Sequence, residues 1–122
     1  MTNKATGIAR FYHATRYSLK GLHAAYRTEP AFRYEVWAMA GLTPVAFWLA
    51  ESGLQLSLLL GSLLFVVLIE LVNSAVEAVV DRTGTEFHEL AGKAKDLGSA
   101  AVFLALLLVL LIWGGIAWDN LP

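Results

Sequence analysis

Ile8, Phe11, Tyr12, Thr15, Leu19, Leu22 and Tyr26 recur at spacings of three and four, while Arg16, Lys20, His23 and Arg27 follow another side of the same path. This pattern predicts an amphipathic helix over residues 1–28, lying on an anionic membrane surface. A soluble helix covering its neighbours is the alternative. Thr28 and Pro30 then signal a new helix, the first as its cap and the second in its opening turn. Residues 31–50 are apolar apart from Arg33, Glu35 and a few weakly polar groups, and predict a first membrane span, kinked at Pro44 and anchored at its far end by Trp48. Ser52 and Gly53 make a short turn, after which no residue from Leu54 to Ile69 is charged. The second span covers 54–81, about 28 residues and roughly 42 Å, so it outruns a hydrocarbon core and its last turns emerge among the headgroups. Residues 82–96 read as a polar connection, and 97–118 as a third span ended by Asp119.

Composition turns those spans into a class. A chain of 122 residues that is 57% hydrophobic, with a mean hydropathy of +0.60, carries more apolar surface than a small soluble core hides. The expectation is one all-α integral-membrane domain over 1–122. The net charge of −1 averages an uneven distribution, since six of the nine basic residues (Lys4, Arg10, Arg16, Lys20, Arg27, Arg33) precede position 34 and the other three lie in 82–96. Positive charge marks the cytoplasmic side, so the N-terminal arm and the 82–96 segment are expected in the cytoplasm and the C-terminus outside, in the periplasm. Trp48 and Trp118 then share the outer interface, as an aromatic belt requires. No secretory signal pattern is present at the N-terminus, which is expected to be retained. Nucleic acid is not an expected partner. With no cysteine, and three histidines without zinc spacing, any metal must rest on oxygen ligands.

The chemistry is concentrated in Glu70-Leu71-Val72-Asn73-Ser74-Ala75-Val76-Glu77-Ala78-Val79-Val80-Asp81, where three carboxylates and an amide interrupt a membrane helix. Such groups are costly in lipid and point to function. At 100° per residue, Asn73, Glu77 and Asp81 fall at about −60°, −20° and +20° from Glu70, on one side of the helix. Glu70 and Glu77 stand about 10 Å apart along the axis, which suits two jobs at two depths. Carboxylates beside lysines suit a hard divalent ion bridging phosphates, and phosphoryl transfer asks a protein mainly to hold phosphate, neutralise charge and supply a base. No P-loop or kinase glycine-rich loop is present, so a nucleotide must be gripped by separate side chains. Structural readings stand beside these. Glu29 with Arg33 makes a plain i,i+4 pair, Asp96 caps the third span, and Lys93 and Lys95 serve topology. Asn73 and Ser74 join helices by hydrogen bonds, and His88 is a solvated loop residue. Glu70 has no such explanation. A small transporter or scaffold with proton-relaying carboxylates is the reading from another class, but the outer halves of the second and third spans hold no ionisable residue.

The run E-x-V-N-S-A-V-E-x-x-V-D from Glu70 to Asp81 resembles the signature of the small prokaryotic diacylglycerol kinases. The likeness extends through Tyr17-Ser18, Lys20-Gly21-Leu22, Ala31-Phe32-Arg33, Glu89-Leu90, Lys95-Asp96 and Gly98-Ser99-Ala100-Ala101, with Pro30 as a departure. The resemblance implies an ATP-dependent, Mg²⁺-using kinase that converts diacylglycerol to phosphatidate at the bacterial inner membrane. It implies a homotrimeric bundle whose active sites are shared between subunits. It assigns Glu70 as general base, Glu29 and Glu77 as metal ligands, and Arg10, Tyr17, Glu29, Glu77, Glu86, His88, Lys95 and Asp96 as nucleotide contacts. Arg10, Ser18, Glu70 and Ser99 fall to the lipid, with Asn73 in support. Related kinases with a similar motif phosphorylate undecaprenol, and that acceptor stays open.

Overall fold

Glu29 divides the first two helices because Pro30 follows it. The residue before a proline is pushed out of helical geometry, and Glu29 is extended at φ −114° and ψ 101°. In the computed structural model, which describes residues 6–82 and 88–122, this break separates α1 (Gly7–Thr28) from α2 (Pro30–Leu49). Proline at the first helical position forgoes an N–H that would have had no partner there. Glu29, rather than Thr28, is therefore the N-cap of α2, and its own N–H still closes α1 on the carbonyl of Ala25 at 2.9 Å. Thr28 turns its hydroxyl back to the carbonyl of Ala24. Arg33 Nη1 donates to the carbonyls of Tyr26 and Arg27 at 2.9 and 3.1 Å, so it closes the end of α1 and forms no i,i+4 pair with Glu29. Ala25, Phe32 and Val67 are buried together at this junction, fastening both helices to the third.

The third helix, α3 (Gly53–Asp81), begins at Ser52, whose hydroxyl accepts from the N–H of Gln55 at 3.1 Å. Gln55 Oε1 reaches back to the N–H of Glu51, a variant of the capping box. The same Gln55 exchanges hydrogen bonds with Asn120 near the end of α4 (Glu89–Asn120), and Asn120 also donates to the carbonyl of Leu49 at 2.9 Å. One carboxamide pair thereby ties three helix ends together. Beneath it Ala46, Leu49, Leu59 and Ile116 form a buried cluster. Deeper still, Trp113 donates to Ser62, which donates to the carbonyl of Leu59, so the polar groups at this level are satisfied.

Two of the described helices, α3 and α4, are long and apolar enough to cross a membrane. Leu64, Leu68, Leu104, Leu107 and Leu111 leave large side chains exposed along them. The helix α2 covers Pro30–Leu49 where a span over 31–50 is expected, and Pro44 lies within it. The fourth helix corrects the expected bounds. It starts at Glu89, not 97, so the second half of the polar connection is helical and Asp96 lies in the helix rather than capping it. Ala91, Lys93, Ala94 and Lys95 are good helix formers, and a polar turn continues an apolar helix once it leaves the lipid.

Candidate active site

Where α1, α2 and α3 meet, the charges of three other carboxylates reach Glu70. Glu70 is 7% exposed, one of the two buried polar residues among those described, and it feels the charges of Glu35 on α2, Glu77 on its own helix and Glu29 at the α1–α2 break. Packing explains this: Phe32 and Val67 bring the start of α2 against the middle of α3, and Glu29 and Glu35 lie three residues to either side of Phe32. One helical turn beyond Glu70, Asn73 Nδ2 donates to Glu77 Oε1 at 3.2 Å. The other carboxamide atom, Asn73 Oδ1, is buried with no hydrogen-bond partner.

At the C-terminal end of the stripe, Lys95 Nζ meets Asp81 Oδ1 at 2.7 Å, joining the last turn of α3 to the first turns of α4. Both side chains are well exposed. Lys95 precedes the apolar part of α4, and the hydrogen bond to Asp81, reinforced by its charge, raises the ammonium above the ordinary lysine value. Raising it keeps the group cationic across all physiological pH. A groove of about 560 Å³ opens between α1 and α3, lined by Ser18, Gly21, Ala25, Glu29, Leu71, Ser74 and Ala75 among others. A second, of about 660 Å³, lies between the end of α3 and the start of α4 and includes Val79, Val80, His88 and Leu90.

The structure thus bonds Asn73 to Glu77, sets Glu29 and Glu77 within electrostatic reach of Glu70, lines one groove with Ser18 and Glu29, and includes His88 in another. Arg10, Tyr17, Asp96 and Ser99 present exposed side chains that no contact described here brings to the carboxylates. Glu86 lies outside the described residues. Glu35 is the group that reading the sequence passes over, although the signal was there: like Glu70, it is an acid within a predicted span.

Among the described residues no three carboxylates or imidazoles are gathered closely enough to cage a metal. Glu29 and Glu77 nevertheless fit Mg²⁺ in its usual enzymatic mode, one or two carboxylates with phosphate and water completing the shell. The donors are all oxygen, as a hard ion requires.

Comparison with known proteins places these residues in context. The family model described as prokaryotic diacylglycerol kinase matches residues 16–117. A diacylglycerol kinase of Haemophilus influenzae is 50% identical over 113 residues, covering 93% of this chain and 96% of its own. The diacylglycerol kinase of Escherichia coli K12 is 44% identical over 120 residues, 98% of each chain. That of Pseudomonas aeruginosa is 46% identical over 111 residues, 91% of this chain and 90% of its own.

Proposed function

This chain belongs to the prokaryotic diacylglycerol kinase family and is a kinase, and from that premise we propose that it transfers the γ-phosphoryl group of ATP to the free hydroxyl of diacylglycerol at the cytoplasmic face of the inner membrane. The observation that carries the reading is the buried carboxylate Glu70, set deeper along α3 than the Asn73–Glu77 pair and the Asp81–Lys95 bridge. A diacylglycerol whose acyl chains remain in the bilayer brings its hydroxyl to the acyl boundary, the depth expected of Glu70. Phosphates approaching from water meet Glu77, Asp81 and Lys95 first.

Glu70 takes the proton of the lipid hydroxyl as its oxygen attacks the γ-phosphorus. The new O–P bond forms while the bond from phosphorus to the ADP oxygen breaks, and ADP leaves with the electron pair. Glu70 later releases the proton to water. Glu29 and Glu77 would hold Mg²⁺, which would supply neutralisation of the phosphate charge. Asn73 fixes the orientation of Glu77 by donating to it. Lys95, restrained by Asp81, offers the cation nearest the phosphate side, with Arg10, Tyr17, Glu86, His88 and Asp96 as further nucleotide contacts. Ser18 and Ser99 attend the lipid. In this reading the exposed leucine flanks of α3 and α4 pack against further copies in a homotrimer, α2 is a third crossing, and the N-terminus is cytoplasmic with the C-terminus periplasmic.

The test is transfer of label from γ-³²P ATP in mixed micelles offering diacylglycerol and undecaprenol side by side, with and without Mg²⁺. Label is expected in phosphatidate, dependent on Mg²⁺. Preferential labelling of undecaprenol refutes the acceptor, and no labelling of either refutes the reading.

A further inference from the structure

Asn73 is held on one side only. Its Nδ2 points at Glu77 Oε1, the orientation a carboxylate demands of an amide, and this turns Oδ1 toward α4, where it is buried without a hydrogen-bond partner. The atom it faces there is the α-carbon of Gly98. A Cβ built on Gly98 overlaps Asn73 Oδ1 and comes within 3.2 Å of Asn73 Cγ. By contrast, a Cβ on Gly21, Gly41, Gly61, Gly114 or Gly115 meets nothing within 4 Å. Glycine in a helix interior is unfavourable relative to alanine, so a position where only glycine fits beside a polar side chain calls for a local reason.

From this we infer that Gly98 is a positioning residue of the site: its missing side chain gives the Asn73 carboxamide the one place from which it can hold Glu77. The inference rests on the reading of Glu77 as a metal-holding carboxylate. A weak Cα–H···O contact is what the bare α-carbon can offer Oδ1 in place of a conventional donor. The obstruction created by a methyl group is the end of a side chain with two rotatable bonds, not backbone. Asn73 relieves the overlap by rotating, and rotation takes Nδ2 away from Glu77. Gly98→Ala therefore leaves the fold intact, gains helix propensity and loses the orientation of the carboxylate.

The experiment compares the parent with Gly98→Ala, Asn73→Ala, the double variant and Glu77→Gln in micelles. The readouts are the thermal midpoint by circular dichroism, Mn²⁺ binding by electron paramagnetic resonance with a non-hydrolysable ATP analogue present, and the Mg²⁺ dependence of turnover. Gly98→Ala is expected to melt at or above the parent while binding Mn²⁺ about tenfold more weakly, the lower end of what losing a support to a metal ligand costs. In the Asn73→Ala background the same methyl group should change binding by less than about twofold, because its target is gone. Parent-like Mn²⁺ binding by Gly98→Ala overturns the inference, as does an equal loss in both backgrounds. If Gly98→Ala does not fold, recovery of folding in the double variant supports the clash, and failure of both variants overturns it. Weakened binding by Glu77→Gln together with full binding by Gly98→Ala removes only the role of Gly98. Unchanged binding by Glu77→Gln removes the metal reading and this inference with it.

Discussion

Replacing Glu70 with glutamine removes the proposed base and almost nothing else. The side chain is 7% exposed, so the amide occupies the same buried volume and water has little access to stand in for the lost carboxylate. General-base catalysis contributes on the order of 10²–10⁴ in rate, equivalent to about 3–5 kcal/mol of barrier. Burial argues for the middle of that range or above, and kcat should fall by roughly 10³. The group best placed to substitute is Glu35, which reaches Glu70 electrostatically from α2, so Glu70→Gln with Glu35→Gln is the control for partial rescue. The KM for Mg·ATP should stay near its starting value, since the proposal gives the phosphates to Glu77 and Lys95 instead. Stability supplies an independent check. Glu70 is buried and within reach of the charges of Glu35, Glu77 and Glu29, so removing its own charge should hold or raise the thermal midpoint even as turnover collapses. The assay is γ-³²P transfer to diacylglycerol in mixed micelles across a pH series, with melting of the same samples. Turnover above about a tenth of the parent, with an unchanged pH profile, would show that this carboxylate is not the base.

Three further outcomes follow from other contacts. Glu77→Gln and Glu29→Gln should each shift the Mg²⁺ dependence of turnover to higher concentration at fixed ATP while leaving the melting point nearly unchanged, and an unaltered dependence in both removes them from the metal site. Lys95→Met should raise the KM for ATP, with little change in thermal stability, because the pair with Asp81 lies in water with side chains 45% and 62% exposed. The ammonium is raised above its ordinary value, so the pair is complete below the ordinary lysine range and is lost only as pH climbs through the raised value; a Lys95-dependent change between pH 6 and 9 (roughly the range for assay) would contradict it. Asn120→Leu should destabilise the chain by about 1–3 kcal/mol, since it abandons the partly buried Gln55 carboxamide and the Leu49 carbonyl. Its kcat should match the parent in the same preparations, because this clasp lies at the opposite end of α3 from the carboxylates.

Periodicity and charge were enough to read four helices, the apolar character of α3 and α4 and the one-sided stripe from Glu70 to Asp81, because these depend on which residues recur every three to four positions along a single helix. The break at Glu29–Pro30 was legible for the same local reason, although the cap fell on Glu29 once proline constrained the residue before it. Contacts between helices were not legible. Glu35 joins the carboxylates only because Phe32 and Val67 set α2 against the middle of α3, and nothing in the local pattern around Glu35 specifies that docking. Arg33 reads in sequence as an i,i+4 partner of Glu29; the break between α1 and α2 sets it instead against the carbonyls of Tyr26 and Arg27. The start of α4 moved to Glu89 because polarity marks where a helix leaves lipid, not where it ends. Gly98 reads in sequence as one small residue among several, and its meaning arises from the approach of α4 to Asn73, a distance that only the packing of two helices determines.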